Sequence, residues 1–387
     1  MNISHQDVIN FIQNMYQTKK FIPLHEPKFF GNEKKYLSEC IDSTFVSSVG
    51  KFVDQFESMI CEFTGARYAV ATVNGTAALH IALKLVGVDS GDEVITQPLS
   101  FVATCNAISY CNAKPVFVDV DLDSMGMSPE SLRTFLKLNT RQELGNRINT
   151  TTGKKIAAVV PMHTFGLPCR VEEIEQICQE FNIPLVEDAA ESLGSYFNGR
   201  HTGTFGKVGT LSFNGNKTIT TGGGGMIITN DPDLAKRAKH ITTTAKIAHP
   251  YEFIHDEVAY NYRLPNINAA LGCAQMESLF SQLKSKREIA SEYENFFSGT
   301  NFQFAKEIDG GHSNYWLNAI VLEDRPQRDL FLKNLNDAGV MSRPIWCLMN
   351  KLEMFSSCQA ADLSNAIWLE DRVVNIPSSS IAKEISI

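Results

Sequence analysis

Phe52, Phe56, Met59, Ile60 and Phe63 recur at helical spacing, and Gly65 follows where a helix needs a left-handed cap. A mostly apolar strand is expected next, over residues 68–73. The turn Asn74-Gly75-Thr76 then opens into a run of strong helix formers, 77–83, that ends near Gly87. The alternation continues. Strands are predicted at 93–96, 115–120, 156–161 and 184–188, with helices after Ser100 and Ser128 and over 171–181. Apolar strands separated by helices imply a mostly parallel sheet covered on both faces.

The polar stretch between Leu138 and Lys155 interrupts this rhythm and reads as a surface excursion or hairpin without chemistry of its own. After Pro265 a long helical pattern, 266–297, leads into a smaller C-terminal region whose strand candidate is 316–322. The expected organisation is α/β throughout. An N-terminal segment, 1–45, packs on the small domain; a large domain spans 46–265; the linking helix and a small α/β domain occupy 266–387.

Composition narrows the function classes. The 387 residues carry a formal charge of −8, which argues against a nucleic-acid binder. No apolar run reaches the roughly 18 residues of a membrane span, and the start lacks a secretory pattern, so a cytoplasmic protein is expected. The nine cysteines include no C-x-x-C pair. That spacing favours reduced, mostly buried thiols over a zinc ribbon or dithiol centre, and no metal is expected.

Ligands of an open parallel sheet bind beyond the carboxyl ends of its strands. Asp188 ends an apolar strand there, either as the cap of a short following helix or as a carboxylate in a water-poor crevice. Gly75 and Thr76 open a helix whose free N–H groups and Thr76 hydroxyl suit a phosphate, with helix capping as the alternative. Lys217, in Ser212-Phe213-Asn214-Gly215-Asn216-Lys217-Thr218, is poorly explained as a solvated charge. A nucleotide-triphosphate loop fails on spacing, because Asn216 separates Gly215 from Lys217. The four glycines 222–225 likewise do not form a dinucleotide fingerprint. One cofactor uses a phosphate anchor, a carboxylate for a pyridinium nitrogen and an imine-forming lysine together: pyridoxal 5′-phosphate.

The stretches Asn74-Gly75-Thr76-Ala77-Ala78-Leu79, Gly91-Asp92-Glu93-Val94-Ile95, Pro115 to Asp121, Glu187-Asp188-Ala189-Ala190-Glu191-Ser192-Leu193-Gly194, Ser212-Phe213 with Asn216-Lys217, and Tyr260-Asn261-Tyr262-Arg263-Leu264 carry a resemblance. Over roughly 20–387 the chain resembles the nucleotide-sugar aminotransferases of the aspartate aminotransferase fold. The resemblance assigns Lys217 to the Schiff base and Asp188 to the pyridine nitrogen. It assigns Thr76, Ala77 and Ser212 to the phosphate, Phe101 to stacking on the ring, and Glu191 to the neighbourhood of the ring hydroxyl. Asn261 matches an asparagine that reaches the partner subunit's cofactor phosphate, which implies a homodimer with shared sites. Many members carry Gly-Glu-Gly-Gly where this chain has Gly222-Gly223-Gly224-Gly225, so any role of that glutamate is missing.

Together with Arg343-Pro344-Ile345-Trp346 and Asn375-Ile376-Pro377-Ser378-Ser379, these features are most similar to the branch that aminates C4 of UDP-linked 4-keto-6-deoxy-N-acetylhexosamines with L-glutamate as donor. That branch serves bacillosamine and legionaminic acid synthesis. His163, His312, Tyr315 and Trp346 are expected in the sugar pocket from their polar-aromatic loops. Two alternatives share the fold: a pyridoxamine-dependent sugar dehydratase, whose members replace the lysine by histidine, and a non-catalytic regulatory protein. Lys217, Asp188 and Ser212 argue against both.

Overall fold

A computed structural model describes residues 2–381. The large domain is built on seven strands: β1 (Tyr68–Thr72), β2 (Glu93–Thr96), β3 (Lys114–Phe117), β4 (Ile156–Val160), β5 (Val186–Asp188), β6 (Val208–Ser212) and β7 (Gly225–Thr229). β3, β2 and β4 pair in parallel, the bridges Val159–Leu185 and Met162–Asp188 join β4 to the β5 chain, and β6 runs parallel to β5. β7 then lies antiparallel to both β6 and β1. The order is therefore β3-β2-β4-β5-β6-β7-β1 with one reversed strand, the mostly parallel sheet that the apolar strands imply.

Helices α3 (Lys51–Thr64), α4 (Gly75–Leu85), α5 (Val102–Tyr110), α6 (Pro129–Asn139), α7 (Val171–Glu180) and α8 (Pro232–Thr242) cover this sheet. Local sequence explains their ends. Gly65 takes the left-handed conformation after α3, φ 76°, and the Ser128 hydroxyl caps α6 with Pro129 at its first turn. The polar excursion is a hairpin, Thr140–Glu143 against Asn146–Asn149. It is pinned by the buried Asn149 amide, which donates to Glu93 and Gln359.

The linking helix spans Asn266–Phe297, about 48 Å at the helical rise. Its first half packs on α3, and its second half sends Ile289, Tyr293 and Phe297 into the small-domain core. There β8 (Gln303–Phe304), β9 (Asn318–Val321), β10 (Arg343–Pro344) and β11 (Val373–Ile376) form an antiparallel sheet in the order β8-β9-β11-β10. The N-terminal segment divides between the two cores. Val8, Ile9 and Ile12 of its first helix, His5–Met15, join Phe331 and Leu335 of the small domain. The second helix, Glu33–Asp42, lies instead on the linking helix and puts Cys40 beside Phe52 and Phe56, because its buried positions match that surface. All nine cysteines are free, and six are buried. Among the described residues no helix is long and apolar enough to cross a membrane.

Candidate active site

The carboxyl ends of β1, β5 and β6 open into a cavity of about 650 Å³, closed from the other side by Trp316, Leu317, Arg343, Trp346 and Asn375 of the small-domain region. A second cleft of about 690 Å³, around Arg170, Phe302 and Glu307, contains none of the residues singled out for chemistry.

Successive side chains of a strand point to opposite faces, and this divides the acidic pair at the end of β5. Asp188 faces the cavity; its Oδ2 accepts from Thr104 Oγ1 at 2.7 Å and its Oδ1 from the Ala190 N–H at 3.2 Å. No helix follows it, so the helix-cap alternative fails. Glu187 points the other way and is fully buried, accepting from the N–H groups of Gly203, Phe205 and Gly206 and facing His163 Nε2 at 3.2 Å.

The turn before α4 lies beside Ser212. Asn74 caps the helix by accepting the Ala77 N–H at 2.7 Å, while Gly75 and Thr76 line the cavity with first-turn N–H groups that have no helical acceptor. The hydroxyls of Thr76 and Ser212 make no hydrogen bond among the described residues. Two glycines permit this close packing. A Cβ on Gly75 would stand 2.8 Å from Ser212 Cβ, and one on Gly225 would stand 2.4 Å from the Asn74 carbonyl oxygen. Two amides, two hydroxyls and a helix N-terminus are thereby gathered at one end of the cavity, donors of the kind that suit an anion.

Lys217 enters the cavity from the loop after β6. Its Nζ lies 3.3 Å from Glu191 Oε1 and 3.9 Å from the centre of the Trp316 ring. Glu191 is buried, with Oε2 accepting from the Phe165 N–H at 2.9 Å. Desolvation raises its pKa above the ordinary carboxylate value, against the opposing pull of Lys217. Phe101 is half exposed on the cavity wall, and Trp346 stands between it and Phe165.

Several expected site residues lie elsewhere. His163 is fully buried on the Glu187 face, where its Nδ1 accepts from the Cys169 N–H; the reversal of side-chain direction along the strand end carries it away from the cavity. Burial disfavours its charge, and the Cys169 N–H aimed at Nδ1 requires the lone pair of the neutral ring, against the upward pull of Cys169 and Glu187 on its pKa. His312 pairs with Tyr196 on the edge strand of a short three-stranded sheet outside the cavity. Tyr315 is buried, stacked on Phe304, because its left-handed backbone, φ 46°, turns it inward and its successor Trp316 outward to Lys217. Ala77 commits its amide to Asn74. Asn261 is exposed outside its own chain's cavity and accepts from Arg263 Nε at 3.0 Å. Of the four expected pocket residues, Trp346 alone lines the cavity.

Comparison with known proteins gives the family. Residues 29–384 match the DegT/DnrJ/EryC1/StrS aminotransferase family. A GDP-perosamine synthase of Vibrio cholerae is 38% identical over 92% of this chain and 94% of its own. A Bacillus subtilis relative whose name specifies dependence on pyridoxal phosphate is 36% identical over 87% of this chain and 84% of its own. The crystal structure of the aminotransferase TlmJ from Streptoalloteichus hindustanus superposes with a TM-score of 0.84 at 26% identity, covering 92% of this chain and 93% of that one. With a strand-end carboxylate, a helix N-terminus and a lysine around one cavity, and with these relatives, this chain belongs to the DegT/DnrJ/EryC1/StrS family and is a pyridoxal phosphate-dependent sugar aminotransferase.

Proposed function

We propose that the enzyme moves an amino group from L-glutamate to C4 of a nucleotide-linked 4-keto-6-deoxy sugar, using Lys217 and Asp188 as its catalytic residues. The observation that carries this reading is the convergence of Lys217, Asp188 and the unengaged first turn of α4 on one cavity. The residues present fit pyridoxal phosphate. Thr76, Ser212 and the amides of Gly75 and Thr76 would hold its phosphate, Phe101 would cover the ring, and Glu191 would stand near the ring hydroxyl.

When bound, the cofactor supplies an electron sink for the pair left as an amino acid loses its α-proton. Asp188 would hold a proton on the ring nitrogen through its charge, fixed in direction by Thr104 and the Ala190 amide. Lys217 would hold the cofactor at rest and, once released, carry protons to and from the reacting carbons. Trp316 and Glu191 limit the space that its amine explores.

The relative named for GDP-perosamine supports a GDP-linked acceptor over the UDP-linked N-acetylhexosamine expected from the short C-terminal motifs. A homodimer with Asn261 serving the partner's site is part of the same reading. Tyr251, Phe253 and Val258, each more than four-fifths exposed near Asn261 in sequence, support it as an unpartnered apolar surface. We assign 46–265 to cofactor binding and 266–387 to the small domain, in a cytoplasmic enzyme.

The deciding experiment offers the purified protein GDP-, UDP- and dTDP-linked 4-keto-6-deoxy sugars with glutamate and identifies the products by mass spectrometry. A mass increment for amine replacing ketone on one of them is expected. Bleaching of the yellow protein by glutamate, with no sugar aminated, would remove the acceptor assignment.

A further inference from the structure

We infer that the polar hairpin builds a second binding site, for an organic phosphate, at the end of the large sheet remote from the active cavity. A cleft of about 450 Å³ opens between the hairpin, the last turn of α7 and the segments that lead into β4, β5 and β6. Arg147 of the hairpin, Lys155 and Lys207 line it together. Lys207 immediately precedes β6, whose far end is Ser212 of the active cavity. The five residues of that strand separate Lys207 from Ser212 by roughly 16 Å, at a rise of about 3.3 Å per residue.

The cations of this cleft are not satisfied within the chain. The Arg147 side chain makes no hydrogen bond or ion pair among the described residues, and its Nε is buried without a partner. Its guanidinium lies 4.8 Å from the centre of the Phe181 ring. A guanidinium stacked on a ring keeps its N–H groups free in its own plane, where a two-oxygen acceptor can approach edge-on. A buried donor without an acceptor destabilises a fold, the more so when charged, and calls for an acceptor from outside. The hairpin holds Arg147 in place, because Ile148 bridges to Lys155 and the Asn149 amide is pinned to Glu93. Lys207 Nζ likewise has no partner among the described residues. Lys155 donates to the Gly87 carbonyl at 3.2 Å and stands 3.4 Å from Asp92, which leaves one of its N–H groups over. The carboxylate on the lining, Glu175, faces Arg200 at 3.5 Å, a cation outside the cleft.

Three cations against one paired carboxylate select an anion, and their number selects its charge. A monocarboxylate would occupy the Arg147 fork and leave Lys207 unpaired. A phosphate monoester carries about −1.5 to −2 charges at pH 7 on three acceptor oxygens, enough for both. The apolar part of the lining, Val86, Ile183 and Phe205, suits the carbon body of an ester better than a free ion. A sugar phosphate and a nucleoside monophosphate share this chemistry.

Calorimetric titration of the cofactor-saturated protein with glucose 1-phosphate, GMP and inorganic phosphate tests the site. One of the two esters should bind more tightly than inorganic phosphate, and which of them does so names the source. Arg147→Gln should weaken that binding about tenfold or more, and Lys207→Gln about threefold or more, in proteins whose denaturant midpoints show them folded. Lys34→Gln removes an exposed cation outside the cleft and controls for net charge; it should change affinity less than about twofold. Binding confined to the active cavity would leave both cleft variants unchanged. Unchanged affinity in either cleft variant, an equal loss in Lys34→Gln, inorganic phosphate binding as tightly as both esters, or no binding of any probe by the unsubstituted protein overturns the proposal.

Discussion

The indole N–H of Trp316 donates to the carbonyl oxygen of Asn216 at 2.6 Å, and the same ring lies 3.9 Å from Nζ of Lys217. The loop that delivers the lysine therefore also fixes the aromatic face against which the lysine rests. A buried cation over an indole gains about 0.5 to 2 kcal/mol, and the hydrogen bond adds about 0.5 to 1.5 kcal/mol.

Trp316→Phe keeps an aromatic face and loses the donor, whereas Trp316→Leu loses both. The glutamate half-reaction, followed by cofactor absorbance in stopped flow, should slow moderately in the Phe variant and about tenfold or more in the Leu variant. Equal rates in all three proteins would show that the ring merely fills space.

Lys217→Ala should abolish turnover while the fold and the phosphate turn persist, because Gly75, Thr76 and Ser212 form their site without it. Arginine cannot substitute, since a guanidinium stays protonated. Asp188→Asn preserves shape and loses charge, so the rate should fall by orders of magnitude and cofactor retention by less. Turnover and bound-cofactor absorbance, measured on the same preparations, separate these outcomes.

Much of this site is legible in the chain because its parts sit at strand ends, where an apolar run that stops at a polar residue is a local signal. Asp188 and Ser212 are the terminal residues of β5 and β6, and Thr76 lies in the first turn of α4, the helix that follows β1. The small-domain wall carries no such signal. Tyr315, expected in the pocket, is turned into the core by its left-handed backbone while Trp316 lines the cavity, and Asn375 is conspicuous only once its Nδ2 is found buried and unpaired. His163 shows the same limit. A histidine in a polar-aromatic loop looks like a ligand-binding residue until the strand before it sets which face it occupies.

The buried face opposite Asp188 should matter for stability rather than chemistry. Glu187 accepts three backbone N–H groups and faces His163, so Glu187→Gln removes the charge that this arrangement surrounds. Weakening the charge-assisted hydrogen bonds of a buried carboxylate costs about 1.5 to 3 kcal/mol. A lower denaturant midpoint with little change in kcat of the protein that remains folded is expected. A large kcat loss at unchanged midpoint would place Glu187 in the chemistry.

Lys286 is fully buried in the linking helix and donates to the carbonyls of Trp316, 3.1 Å, and Ser378, 2.6 Å. Burial pushes its pKa down to about 7, from 10.5. Between those values the unfolded chain binds a proton that the folded chain does not, so this group makes stability rise with pH across that window. Lys286→Met lacks the effect. Denaturant midpoints of the two proteins at pH 7 and pH 9.5 should shift in favour of the unsubstituted protein at the higher pH. Parallel midpoints would mean that the ammonium stays charged when folded, held by its two carbonyls.

Asn261 lies outside the cavity of its own chain, and its proposed contact is with a phosphate bound by the partner subunit. A hydrogen bond to a charged phosphate oxygen contributes about 1.5 to 3 kcal/mol, so Asn261→Ala should weaken cofactor retention about tenfold or more. Subunit exchange tests the direction of the contact. In a heterodimer of Lys217→Ala and Asn261→Ala chains, action in trans leaves one site with both defects and the other with none, so activity returns at limiting cofactor. Action in cis leaves one defect in each site and nothing returns. Mixtures whose subunits are shown to have exchanged, assayed at cofactor concentrations below those that saturate Asn261→Ala, should therefore recover activity toward half that of the unsubstituted dimer.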